Sequence, residues 1–214
     1  MKNIFLFGHR QQHGKDTCCN FLEKMFSESN KPYARTYFSK MLKRHVAEKY
    51  NLDFAKMEDN TYKSWCPPHL NKKFVLTSDG MAPVDRTVRD ILIEEGCKSR
   101  EIWTDVWANA VYMELYRSAG VVGIVSDYRY PNEYSAHTAS FNEYLKENIF
   151  AQKANVVRVL VHRPDGIFKN DGADGELPDI DEKVWDFIIM NDKKENWENN
   201  LKNQLKDLLT KYGV

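Results

Sequence analysis

The chain has 214 residues, 42% of them hydrophobic and 29% charged, and its 31 basic and 31 acidic residues leave a formal net charge of +0. That length suits one domain with a sizeable core. The even charge balance excludes a nucleic-acid binder that relies on a broad basic field, yet it leaves room for local arginine clusters around a phosphorylated ligand.

The first predicted element is a strand over Ile4 to Phe7, a short apolar run that ends at Gly8. A polar loop containing His9, Gln11, Gln12 and His13 follows, and then Gly14-Lys15-Asp16-Thr17 opens a helical pattern with Cys18, Phe21, Leu22 and Met25 on one face. Strand, loop and helix in that order form a phosphate cradle, because the first turn of a helix presents free N–H groups and a partial positive charge. Gly14 lets the backbone approach a phosphate closely. Lys15 reaches its outer oxygens as a compact point charge. Asp16 and Thr17 offer oxygens to a magnesium shell. The spacing departs from G-x-x-x-x-G-K-[ST]: five residues separate Gly8 from Gly14, and Asp16 holds the usual Ser/Thr place. The plainer reading is an ordinary strand-to-helix turn with one exposed lysine.

Tyr33 to Phe38 reads as a second strand with Ser39 as a candidate N-cap, and Lys40 to Tyr50 as a helix carrying Met41, Leu42, His45 and Val46 with Lys43 and Arg44. Residues 51–86 have weaker periodicity and a turn at Ser78-Asp79-Gly80, and they read as an irregular helical insertion on the substrate side. Thr87 is a candidate N-cap for a helix through Glu95, stopped by Gly96. A longer helix follows, with Trp103, Val106, Trp107, Ala110 and Val111 on one face.

Val121 to Val125 suits a central parallel strand covered on both faces, and Pro131 suits the first turn of the helix after it. Asn155 to Val161 and Val184 to Met190 read as the last strands. Trp197, Leu201, Leu205 and Leu208 mark a C-terminal helix. Asp171 to Glu182 is rich in Asp, Glu and Gly and reads as a loop. Alternating strands and helices give an α/β class with a mainly parallel sheet flanked by helices, read as one domain over residues 1–214. Ligands bind at the carboxyl ends of such strands, so Gly8, Asp127 and Arg163 are expected along one edge of the sheet.

Several residues carry two readings. Asp127, after an apolar strand, either reaches magnesium through water or caps a helix and partners Arg129. Arg129 either grips phosphate with its planar fork or pairs with Glu133. Arg89 either binds phosphate or is solvated on a helix whose apolar face is Val88, Ile91 and Leu92. Trp107 is either substrate wall or core. His9 and His13 read as loop residues, since phosphoryl transfer to a phosphate acceptor needs no strong base. Cys18, Cys19, Cys66 and Cys97 form neither a metal pattern nor a disulfide framework; Cys66 and His69 have Pro67-Pro68 between them and no second pair. Reduced thiols in the cytoplasm are the expectation. No apolar stretch has membrane-spanning length, and the N-terminal run is too short for a signal peptide.

Taken in order, these stretches resemble the phage-type deoxynucleoside monophosphate kinases of the P-loop kinase superfamily. Gly14-Lys15-Asp16-Thr17 is similar to that family's phosphate loop, with Asp after the lysine. Phe38-Ser39-Lys40-Met41-Leu42-Lys43 resembles the segment after its second strand that contacts the nucleoside monophosphate. Thr87-Val88-Arg89-Asp90-Ile91-Leu92 with Gly96 resembles its acceptor-gripping helix, and Trp107 matches a tryptophan in the next helix. Ser126 to Glu133 resembles its D-x-R-x-P-N-E element, and His162-Arg163-Pro164 and Asp186 to Asp192 resemble its later strands.

The resemblance implies a P-loop kinase-like fold with a substrate-binding insertion at 51–86 and a lid-like segment at 163–183. It implies ATP and Mg2+, a deoxynucleoside monophosphate acceptor, a diphosphate product and often a homodimer. It also implies a cytoplasmic location, that of the host for a phage-encoded enzyme. Lys15, Arg89, Arg129 and Asp127 would then be catalytic. Gly14, Lys15, Asp16 and Thr17 would bind ATP; Leu42, Lys43, Arg89, Gly96, Trp107 and Arg129 the acceptor; and Asp16, Thr17 and Asp127 the metal. Two rivals stay open: a kinase for another phosphorylated small molecule such as phosphomevalonate, and a nucleotide-binding module whose lengthened loop does not support turnover.

Overall fold

The computed structural model describes residues 2–8, 12–70, 72–77, 80–118, 121–165, 183–192 and 194–214. The chain forms two compact units, one of Met1–Phe38 with Ala108–Val214 and one of Ser39–Trp107.

The first unit is built on five parallel strands in the order β2-β5-β1-β6-β7. They are β1 (Asn3–Gly8), β2 (Tyr33–Thr36), β5 (Val122–Tyr128), β6 (Asn155–His162) and β7 (Phe187–Met190). Alternation along β1 sends side chains to two cores. Ile4 and Leu6 pack with Tyr112 and Leu115 of α5 (Val106–Arg117) and Phe141 of α6 (Pro131–Glu147). Phe5 and Phe7 pack with Leu22 and Phe26 of α1 (Lys15–Glu28) and with Leu201, Leu205 and Leu208 of α7 (Trp197–Lys211). The sheet is therefore covered on both faces, which is why β1 reads as a continuous apolar run rather than an alternating one. Gly8 sits opposite Tyr128 of β5 and Leu160 of β6. A Cβ there would stand 2.7 Å from the Trp185 ring and 2.8 Å from the Tyr128 carbonyl. The carboxyl ends of β1, β5 and β6 thus lie side by side, and Gly8, Asp127 and Arg163 share that edge as expected.

The second unit packs α2 (Ser39–Tyr50) with α4 (Val88–Ile102) around Leu42, Val46, Ala47, Met57, Val88 and Ile91. Between these helices lie a turn of 3-10 helix (Phe54–Lys56), the short α3 (Asn60–Ser64) and an antiparallel hairpin of β3 (Lys73–Thr77) and β4 (Gly80–Val84). The insertion is therefore helical only in its first half.

Two helix boundaries differ from the sequence reading. Gly96 does not stop α4, which runs on to Ile102. Its missing side chain serves packing instead, since a Cβ there would meet Leu42 Cδ2 at 3.1 Å. Trp103 is the C-cap of α4 and half exposed, so it does not belong to the next helix, which begins at Val106. Thr87 does cap α4: its hydroxyl accepts Asp90 N–H at 3.1 Å while the Asp90 carboxylate accepts Thr87 N–H at 2.9 Å. β5 extends beyond Val125 to Tyr128, which places Asp127 inside the strand. His9, Gln11, the Ser78-Asp79 part of the turn and the Asp171 to Glu182 stretch lie outside the described residues. Among the described residues no helix is long and apolar enough to cross a membrane.

Candidate phosphate site

In the first unit the sequence puts glycine, lysine and aspartate where β1 hands over to α1. Gly14 is the N-cap of α1, at φ 99° and ψ 15°, a left-handed conformation that glycine enters without steric cost. It provides no side-chain cap, so the first-turn N–H groups face a residue that offers them no oxygen from its side chain. Lys15 is the first helical residue and is buried, at 6% exposure. A lysine so enclosed loses hydration. Burial pushes its pKa down, Asp16 and Asp127 oppose that shift, and Arg129 adds to it. One electrostatic environment therefore joins Lys15, Asp16, Asp127 and Arg129, residues from α1, β5 and the turn after β5.

Each member is also held by its neighbours. The Asp16 carboxylate lies 4.0 Å from Lys15 Nζ and 3.6 Å from Arg35 Nη2, while remaining largely exposed. Arg35, on β2, is itself fixed by Glu23 at 2.6 Å and Asn20 at 2.5 Å. Asp127 Oδ1 accepts the backbone N–H of Phe38 at 2.6 Å. Buried Glu133 accepts the N–H groups of Arg129 and Tyr130 at 2.7 and 3.0 Å. Its carboxylate thus shapes the backbone that carries Arg129, a different service from the side-chain ion pair weighed from sequence. Thr17 is half-buried in the first turn. Cys18 and Cys19, on the inward face of α1, are core thiols: burial pushes Cys18 up to about 12 and Cys19 well above the ordinary range.

His13 is buried, and its Nδ1 accepts Arg163 N–H at 3.3 Å. Asn191, 1% exposed, donates its Nδ2 to His13 O at 2.8 Å. The sequence reading gave no role of its own to Asn191, quoted only within the Asp186 to Asp192 resemblance, and none to Arg35. An asparagine directly after an apolar strand was the available signal for the first, and an arginine among the apolar positions of β2 for the second.

The expected acceptor residues other than Arg129 are carried by the second unit. Leu42 and Gly96 touch, and Trp107 packs on the same core with its ring 6.3 Å from that of His45. Trp107 Nε1 is buried without a hydrogen-bond partner among the described residues. Lys43 is buried, with its Nζ 2.7 and 2.9 Å from the two oxygens of Glu58, a partner that sequence spacing did not suggest. Arg89 is exposed, and its Nη2 donates to Asn60 Oδ1 at 3.4 Å. Glu95, next to Gly96, is a buried carboxylate bonded by Lys49 at 2.6 Å and the Tyr50 hydroxyl at 2.8 Å.

Comparison of the chain with models of known protein families finds no match, and comparison with curated proteins finds none either.

Proposed function

We propose that the chain transfers the γ-phosphoryl group of ATP to the 5′-phosphate of a deoxynucleoside monophosphate, giving ADP and the diphosphate. The observation that carries this reading is the enclosure of Lys15 at the N-terminus of α1, beside Asp16, Asp127 and Arg129. A buried ammonium at a helix N-terminus, where the first-turn amides have no intrahelical acceptor, favours an anion, and its lost hydration is replaced when a phosphate arrives. Lys15 and the first turn of α1 would hold the donor phosphates. Two carboxylates acting on the same lysine supply the hard oxygens that Mg2+ prefers, so Asp16, Asp127 and the Thr17 hydroxyl suit that ion. Mg2+, when bound, neutralises charge on the donor phosphates.

In the transfer an oxygen of the acceptor phosphate bonds to the γ-phosphorus as the bond to the β–γ bridging oxygen breaks, and ADP leaves with that electron pair. The protein's part would be positioning and positive charge, and Arg129, whose charge acts on Lys15, would supply the second. The choice of a deoxynucleoside monophosphate as acceptor rests on the sequence resemblance of Phe38 to Lys43 and Thr87 to Gly96, which assigns Leu42, Lys43, Arg89, Gly96 and Trp107 to it. The test measures ADP formation over a panel of monophosphates, phosphomevalonate included. Lys15→Ala and Arg89→Ala should each lower turnover roughly 10²–10³-fold, by analogy with removal of one preorganised donor. Near-wild-type turnover in both overturns the assignment.

A further inference from the structure

Asn191 is the first residue beyond β7, and no part of the reaction so far uses it. Its backbone N–H donates to His162 O at 2.7 Å, continuing the ladder between β6 and β7. Its side chain turns to the other end of the chain. Nδ2 donates to His13 O at 2.8 Å, the carbonyl immediately before Gly14. The same Nδ2 stands 2.4 Å from where a Gly14 Cβ would lie. Gly14 thus lacks a side chain for two reasons, its positive φ and the amide that fills the space. His13 is gripped twice, since its ring also accepts Arg163 N–H from the residue that follows β6. Asn191 Oδ1 is buried and finds no donor among the described residues, so among those residues the side-chain amide bonds to the loop through Nδ2.

We infer that Asn191 is a positioning residue for the phosphate loop, a role that rests on the phosphate reading of Lys15. It ties the last loop carbonyl to the sheet and thereby fixes where α1 begins. Five residues between Gly8 and Gly14 give this loop one residue more than the common spacing, and extra length costs closure entropy. An anchor at His13 keeps Gly14 and Lys15 in one place. Burial makes the anchor specific, because a carboxylate in place of the amide would set oxygen against oxygen at His13.

The test uses the full chain with Asn191→Asp and the milder Asn191→Ser. Hydrogen exchange is measured without nucleotide, and ATP affinity by calorimetry with Mg2+. The tether predicts amide exchange at least about tenfold faster over residues 14–18, with α7 amides unchanged, since a local opening exposes only its own amides. It predicts ATP binding weakened at least about tenfold, as small displacements of positioning groups do, with kcat falling less than kcat/KM. Unaltered exchange at residues 14–18 in both variants overturns the inference. So does wild-type ATP affinity in both. If the wild-type chain binds no ATP, the phosphate reading falls, and the exchange arm alone still decides whether Asn191 holds the loop. Should Asn191→Asp lose its fold, Asn191→Ser carries the same comparisons.

Discussion

The Asp127 carboxylate accepts the backbone N–H of Phe38 at 2.6 Å, so a group proposed to hold magnesium also fastens the segment that follows β2. The two duties separate by substitution. Asn at this position keeps an oxygen that can accept the Phe38 N–H but loses the charge. Asp127→Ala leaves that N–H without its acceptor and should lower stability by about 1–3 kcal/mol. Asp127→Asn should unfold close to the wild type while losing most magnesium-dependent turnover. Denaturant melts with ADP assays on both variants check this, and a fully active Asp127→Asn removes the carboxylate from the metal assignment.

Gly14 has no room for a side chain. Any side chain there would adopt a left-handed backbone at about 1–2 kcal/mol and would also meet Asn191 Nδ2 at 2.4 Å. Gly14→Ala should therefore abolish ATP binding while the rest of the sheet, read by far-ultraviolet circular dichroism, persists. ATP affinity within a few-fold of the wild type would contradict a tightly fitted loop.

Lys43 poses a competition. Its ammonium sits between both oxygens of Glu58, yet its sequence context resembles a segment that touches the acceptor. If Lys43 receives the acceptor phosphate, Glu58→Gln removes a rival anion and lowers KM for the monophosphate with kcat little changed. An unchanged KM assigns Lys43 to the second unit's structure alone.

Glu95 should govern acid stability of the second unit. Burial pushes its carboxyl up, but the bonds from Lys49, Tyr50 and Lys98 outweigh that and hold it down at about 2. A carboxyl whose folded pKa lies below its unfolded value stabilises the fold above the unfolded value, near 4.5. That contribution is lost as pH falls toward 2. Glu95→Gln should flatten the stability profile between those values, which pH-dependent melts would show.

The features legible in the sequence were local. The apolar run of β1, Gly14 and the amphipathic start of α1 lie within one short stretch, so the strand-loop-helix unit could be read directly. Thr87 announced the start of α4 for the same reason. What escaped depends on tertiary partners. Gly96 obeyed the local rule that glycine ends helices until packing against Leu42 gave it another purpose. The β3–β4 hairpin was hidden by weak alternation. The Asn191–His13 bond spans 178 positions, and the Lys43–Glu58 pair joins α2 to the turn before α3, an approach that no spacing predicts.

The most direct measurement follows the ionisation of Lys15 itself, by carbon-13 NMR of labelled lysine side chains with Lys15→Arg to assign the signal. Without ligand, burial and Arg129 should hold its pKa below the ordinary lysine value. Mg2+ and ATP should raise it toward or above that value, because a phosphate in contact favours the charged form. A Lys15 titration unmoved by saturating nucleotide would mean that no phosphate rests against it, and would contradict the account at its centre.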